Sequence, residues 1–166
     1  MSTKYCGYCG KVLKVNLTDR SVSEYPFSDK DREKYLGGKI MAAKIIADHI
    51  KGKIDPLSEE NVIVVTTGPL NALGAPCSSR FNTSTISPLT GYYTSSNCGG
   101  NFGMSLKRAG YDALIITGKS EEKVYLKVTA GGVEFKDATP YWGMKTGEAQ
   151  EQIPDLSLIH ISEPTR

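Results

Sequence analysis

Over most of the chain, apolar and polar residues alternate in short runs broken by Gly- and Pro-marked turns. This is the pattern of β-strands that turn one face to a core. Residues 11–17 (KVLKVNL) and 21–25 (SVSEY) alternate in this way on either side of Thr18-Asp19-Arg20, which predicts a hairpin. Residues 62–66 (VIVVT) are almost continuously apolar and β-branched and read as a buried strand. Residues 80–86, 92–96 and 113–117 supply further strands, and residues 124–128 and 133–135 form a second hairpin across Ala130-Gly131-Gly132.

Helical signals are fewer. Ser28 offers an N-cap for a turn or two of helix over residues 30–36, which Gly37-Gly38 then breaks. In KIMAAKIIADHIKG, helical spacing puts Ile40, Ala43, Ile46, Ala47 and Ile50 on one face and Lys44, Asp48 and Lys51 away from it. Met41 and Ile45 fall off that stripe, so cover on more than one side is expected, with Gly52 as the C-cap. Residues 102–109 predict one more short helix, closed by Gly110. The fold class is α+β, mainly antiparallel β-sheet with a short helical insert, in a single domain over residues 1–155.

Composition narrows the function. Hydrophobic residues make up 39% of the 166 and charged residues 23%, as in soluble globular domains. A net charge of +2 gives no basic footprint for nucleic acid. The longest apolar runs are far shorter than a membrane span, and the N-terminus lacks the form of a signal peptide, so a cytoplasmic location is expected. The tail at 156–166, LSLIHISEPTR, resembles the translation of a transposase-end adapter used in sequencing libraries. It is set aside with His160, and the native sequence is expected to run on past Asp155.

The residues with chemical potential concentrate between Thr66 and Gly103, in TGPLNALGAPCSSRFN and SPLTGYYTSSNCGGNFG. Glycine permits positive φ and close approach of a ligand to the backbone. Two such loops flanking Arg80 suit an anionic, flat molecule, with the guanidinium as a planar fork. Gly-rich turns around a surface ion pair would give the same pattern. Four cysteines, at 6, 9, 77 and 98, favour metal, redox or packing roles over disulfides in a chain without a secretory signal. Cys6-Gly7-Tyr8-Cys9 is half of a zinc or iron–sulfur site, or a pair of free thiols. Cys77 and Cys98 shape a pocket or fill small spaces in loops. His49 reads as a polar-face residue, Trp142 as a packing anchor, and Lys107 and Arg108 as a solvated face or an attraction for anions.

The order of GKVLKVNLTDR, KYLGGKIMAAKII, GPLNALGAPCSSRFN, SPLTG, SNCGGNFGMSLKRAGYDALIITGKS and DATPYWG resembles the N-terminal domain of the aldehyde:ferredoxin oxidoreductase family across nearly the whole chain. That resemblance implies two related β-sheets forming a base for a bis-pterin cofactor of tungsten or molybdenum. The whole enzymes of the family oxidise aldehydes to carboxylates and pass electrons through a [4Fe-4S] cluster to ferredoxin. By position, Arg80 corresponds to the family's pterin-contacting arginine. Asn97 corresponds to the asparagine whose backbone carbonyl helps to hold a Mg²⁺ ion between the pterin phosphates. Gly99 and Gly100 match the glycines that admit the pterin, with Cys98 between them and Asn97. The CxxCxxxC run of the cluster is absent here, as are the acid–base residues near the metal. No catalytic residue is therefore expected in this chain, which should be inactive alone and complete only with the rest of its polypeptide. A homodimer is compatible with the family; no nucleic-acid or membrane partner is expected. The competing reading is a small non-catalytic module that binds metal through the four cysteines.

Overall fold

In the computed structural model, which describes residues 3–153, a six-stranded sheet carries the core. Its strands are β1 (Val12–Asn16), β2 (Val22–Glu24), β3 (Val62–Thr66), β4 (Phe81–Ile86), β5 (Tyr93–Cys98) and β6 (Ala113–Thr117), in the spatial order β2-β1-β6-β3-β4-β5. The pair β1–β6 is parallel, in flush register from Val12↔Ala113 to Asn16↔Thr117. The other pairings in this sheet are antiparallel. A separate hairpin joins β7 (Val124–Thr129) to β8 (Gly132–Asp137) through the predicted turn. The α+β, mainly antiparallel expectation holds, with one parallel pair in the middle among the described strands.

Alternation along the strands divides the core into two halves. Val12, Val62, Val64, Ala113 and Ile115 face helix α2 (Gly38–His49), which buries Met41, Ala42, Ile45 and Ile46 against them. Leu13, Val15, Val65 and Leu114 face the other way, toward Leu106 of helix α3 (Phe102–Arg108) and toward Leu126, Val128, Val133 and Phe135 of the hairpin. Each such aliphatic side chain contributes about 1.5–3 kcal/mol by leaving water.

Helix α1 (Asp29–Tyr35) begins where the sequence placed its cap. Ser28 Oγ accepts from Asp31 N at 3.2 Å, while Asp31 Oδ2 accepts from Ser28 N at 2.9 Å and from Ser28 Oγ at 2.6 Å.

The structure corrects four expectations. The buried stripe of α2 is Met41, Ala42, Ile45 and Ile46, whereas Ile40 is 53% exposed and Ala47 is exposed. The helix is turned about its axis because Gly37 sits directly on the end of β3. A Cβ there would lie 2.6 Å from Thr67 O, and Gly38 N donates to that same oxygen at 3.0 Å. Gly52 is not the C-cap. The helix ends at His49, and side chains satisfy its last carbonyls: His49 Nδ1 donates to Ile45 O at 2.9 Å and Lys51 Nζ to Ala47 O at 2.8 Å. Trp142 is 64% exposed, with Lys123 Nζ 5.2 Å from its ring centroid, so it anchors no core. Helix α4 (Thr146–Gln152) was not anticipated, since TGEAQEQ carries no apolar period. The tail at 156–166, with His160, lies outside the described residues.

The fourth correction matters most. Lys107 is buried, not solvated, and its Nζ lies 2.8 Å from Asp112 Oδ1 in an ion pair closed to water. Asp112 also accepts from Cys9 N and Gly10 N, each at 2.9 Å, and Lys107 Nζ donates to Gly7 O. Removing one member of such a pair leaves a buried charge without its counter-ion. Lys107→Met is expected to destabilise the chain by about 3–5 kcal/mol, seen as a lowered urea midpoint. Ser28's hydroxyl holds the Asp31 carboxyl below the ordinary carboxylate range. A depressed acid stabilises above its unfolded pKa and loses that contribution as pH falls through its folded value. The Tm difference between wild type and Asp31→Asn should therefore be present at pH 6 and shrink toward zero near pH 2.

Candidate functional site

Between Thr66 and Phe81 the chain leaves the sheet and returns one strand over, and this excursion builds an open cleft. Its backbone is held in the left-handed region at Ala72 (φ 65°), Gly74 (φ 79°) and Cys77 (φ 58°). At the two non-glycine positions that conformation costs about 1–2 kcal/mol each. Strain of this kind persists where the surroundings over-determine it, and it gathers at ligand clamps. Leu36 (φ 51°), on the cleft's opposite rim, adds a third such residue.

The cleft has a volume of about 490 Å³ and is lined among others by Gly37, Gly68, Asn71, Cys77, Arg80 and Asn97. Antiparallel pairing puts Asn82 opposite Asn97 and Phe81 opposite Cys98, which brings the start of β4 to the end of β5. Arg80 and Asn97, both exposed, meet there: Arg80 Nε donates to Asn97 Oδ1. No acceptor among the described residues takes the Nη donors of Arg80. The first turn of α2 opens onto the same space, and no side chain caps it.

The sequence-predicted residues fall into groups. Arg80, Asn97 and Cys77 share the cleft. Cys98, Gly99 and Gly100 follow directly from Asn97 but lie outside its lining. Cys98 and Gly100 are exposed, and no atom stands within 4 Å of where a Cβ on either glycine would be. A ligand seated at Arg80 could therefore extend over Gly99 and Gly100 without meeting a side chain from them.

Cys6 and Cys9 do not line the cleft, although Gly7 between them abuts Pro69 of its wall. Cys6 is exposed, while Cys9 is half-buried, with its Sγ 3.3 Å from Lys107 O. Among the described residues, no group of three or more His, Cys, Asp or Glu side chains could hold a metal ion. The four cysteines are therefore not gathered into one ligand set: Cys6 and Cys9 share the N-terminal segment, Cys77 lies in the loop before β4, and Cys98 ends β5.

Three residues of the site escaped the sequence reading. Gly37 looked like a helix breaker, although a Gly pair opening a helix is also a signal for a close backbone approach. Asp112 acts through hydrogen bonds to amides about a hundred residues away in sequence, and Asn71, whose side-chain partners Gly68 and Arg80 lie nearby in the chain, stands in an irregular loop where no periodicity marks it as buried.

Burial pushes the Cys9 thiol up, the Asp112 carboxylate adds to that, and the Lys107 ammonium partly offsets both. A raised thiol pKa means less thiolate at neutral pH and slower attack on electrophiles. With iodoacetamide at pH 8, exposed Cys6, Cys77 and Cys98 are expected to be modified first and Cys9 last, with Cys9 gaining reactivity as pH rises. Peptide mass spectrometry would read the order, and early labelling of Cys9 would contradict it.

No helix among the described residues is long and apolar enough to cross a membrane. The family model described as the aldehyde ferredoxin oxidoreductase N-terminal domain matches residues 12–161. The tungsten-containing aldehyde ferredoxin oxidoreductase of Pyrococcus abyssi (strain GE5 / Orsay) is 40% identical over 149 residues, covering 90% of this chain and 24% of the relative. The aliphatic sulfonate oxidoreductase WOR-like subunit of Pyrococcus furiosus is 37% identical over 140 residues, 82% of this chain and 22% of the relative. Among solved structures, the active site complex BamBC of benzoyl coenzyme A reductase, in complex with 1,5 dienoyl-CoA, superposes with a TM-score of 0.84 at 37% identity. That match covers 87% of this chain and 22% of the other. The chain thus spans about a quarter of the length of the relatives it matches. With the family model matched over residues 12–161, this chain belongs to the aldehyde ferredoxin oxidoreductase family and corresponds to its N-terminal domain.

Proposed function

We propose that this chain seats the phosphate-bearing part of a metallopterin, of tungsten or molybdenum, within a longer oxidoreductase. The observation that carries the reading is the Arg80–Asn97 hydrogen bond at the mouth of an open cleft, with Gly99 and Gly100 clear beside it. The residues present suit such a group. Arg80 has Nη donors in a planar fork, the geometry that phosphate oxygens accept. Its Nε is occupied by Asn97, so the fork is held in one orientation before any ligand arrives. The Asn97 side chain is engaged by Arg80, which leaves its backbone carbonyl as the oxygen ligand for a Mg²⁺ ion, a hard cation.

Shared ancestry sharpens the division of labour. The relatives are named for different substrates: aldehydes, aliphatic sulfonates and benzoyl coenzyme A. In this reading a domain common to all three serves a task independent of the substrate, seating the cofactor, and leaves substrate choice to the remaining three quarters of the polypeptide. When bound, the metallopterin would supply the two-electron oxidation of an aldehyde to a carboxylate. In this reading the electrons leave through a [4Fe-4S] cluster to ferredoxin, outside this chain and in the cytoplasm. The chain's own residues bind and orient: Arg80 neutralises phosphate charge, and the apolar residues of the cleft lie against the rest of the ligand.

Elemental analysis of the full-length parent, produced in a host that builds the pterin, tests the proposal. Arg80→Ala is expected to lower tungsten or molybdenum per polypeptide at least about tenfold, the equivalent of losing one charge-assisted contact of about 1.5–3 kcal/mol. The Cys6→Ser, Cys9→Ser double variant should retain metal. Full metal and pterin in the Arg80→Ala protein would sink the reading. Stoichiometric zinc lost with the two cysteines would favour a separate metal module instead.

A further inference from the structure

We propose that Asn71 is a positioning residue for Arg80, a buried amide that clasps two backbone segments at the cleft and on which a third packs. This deepens the cofactor reading and rests on it for the identity of the ligand, but the clasp itself is geometric. Asn71 is 4% exposed. Its Oδ1 accepts from Gly68 N at 3.0 Å, and its Nδ2 donates to Arg80 O, also at 3.0 Å. Asn71 N closes the loop back on itself by donating to Gly68 O at 3.2 Å. One planar group thus ties the exit of β3 to the residue that opens β4.

The third segment is α3, which follows Gly99 and Gly100. Gly103 packs on the same amide: a Cβ there would lie 2.9 Å from Asn71 Nδ2, 3.0 Å from Ser79 O and 3.2 Å from Phe81 Cβ. Glycine is required at that point for the helix to come down on the clasp. Ala72, next along the chain, reverses direction in the left-handed region, so the clasp stands at the origin of the strained excursion. An exposed arginine on a flexible loop loses conformational entropy when it grips an anion, whereas a backbone fixed beforehand removes part of that cost. The side chain must offer one donor and one acceptor. Aspartate has the same shape but would set a second acceptor against Arg80 O, and serine is too short to span both partners.

The test has two independent readouts. In this chain, labelled with ¹⁵N-arginine, the Arg80 Nε–H signal reports its hydrogen bond to Asn97. Asn71→Asp is expected to speed exchange of that proton at least about tenfold while the Cys9 amide, held by Asp112, keeps its wild-type protection. Wild-type protection of Arg80 in a folded Asn71→Asp chain would overturn the proposal. If the Cys9 amide also loses protection, Asn71→Ser, which keeps an acceptor near Gly68, is judged by the same two signals. If Asn71→Ser also loses Cys9 protection, Asn71 holds the whole fold and the proposal is overturned. In the loaded parent enzyme, Asn71→Asp is expected to lower pterin content severalfold with Arg80 present and not at all in an Arg80→Ala background. An equal loss in both backgrounds would mark Asn71 as a general scaffold residue and overturn its positioning role. Should Arg80→Ala itself leave pterin content unchanged, the cofactor reading fails and the clasp is decided by the exchange data alone.

Discussion

The buried Lys107–Asp112 ion pair is the constraint on which the rest of the architecture hangs. Asp112 sits at the entry to the central strand β6 and gathers groups from across the chain: Lys107 from α3, and the amides of Cys9 and Gly10 from the N-terminal segment. Its backbone continues the work, since Asp112 O accepts from both Thr67 N and Thr67 Oγ1 and Asp112 N donates to Lys11 O. An isolated charge in that environment would cost many kilocalories per mole; paired and with its oxygens filled by N–H donors, it becomes a fixed point instead. The Lys107 ammonium also lies over the Tyr8 ring, 5.4 Å from its centroid, which presses the N-terminal segment down on the pair. Through Thr67 the same fixed point sets where the cleft begins.

A rigid origin explains how the cleft can tolerate an unfavourable backbone. The excursion from Thr67 to Arg80 starts at a residue bonded to Asp112 and returns into strand β4, so both of its ends are held by the sheet. Left-handed residues between two fixed ends cannot relax without breaking one of them. The opposite rim is fixed as firmly, because Gly37 abuts the Thr67 carbonyl so closely that no side chain would fit. In contrast, strand β5 forms an edge of the sheet and is exposed along its length. The cleft therefore has two rigid walls and one accessible one, the form of a seat that receives a ligand from the open side.

Much of this was legible in the sequence, and some of it was not. Alternation, β-branched runs and turn residues are local properties, and they located the strands, the β7–β8 hairpin, the Ser28 cap and helix α3 within a residue or two. The motif order, with Arg80 between two glycine-rich loops and Asn97 before a Gly pair, pointed to a shared site. Pairing of β4 with β5 then placed those two side chains in contact. Tertiary structure alone decided which face of α2 is buried, because the rotation of that helix depends on the Gly37–Thr67 approach and not on its own periodicity. It alone turned Lys107 from a surface charge into a core one, since the carbonyl of Gly7 and the amides of Cys9 and Gly10 that complete its site lie about a hundred residues away in sequence. It alone gave Asn71 a role. A buried amide declares itself only through partners, and partners that meet by chain folding leave no periodic trace in the string of residues that encodes them.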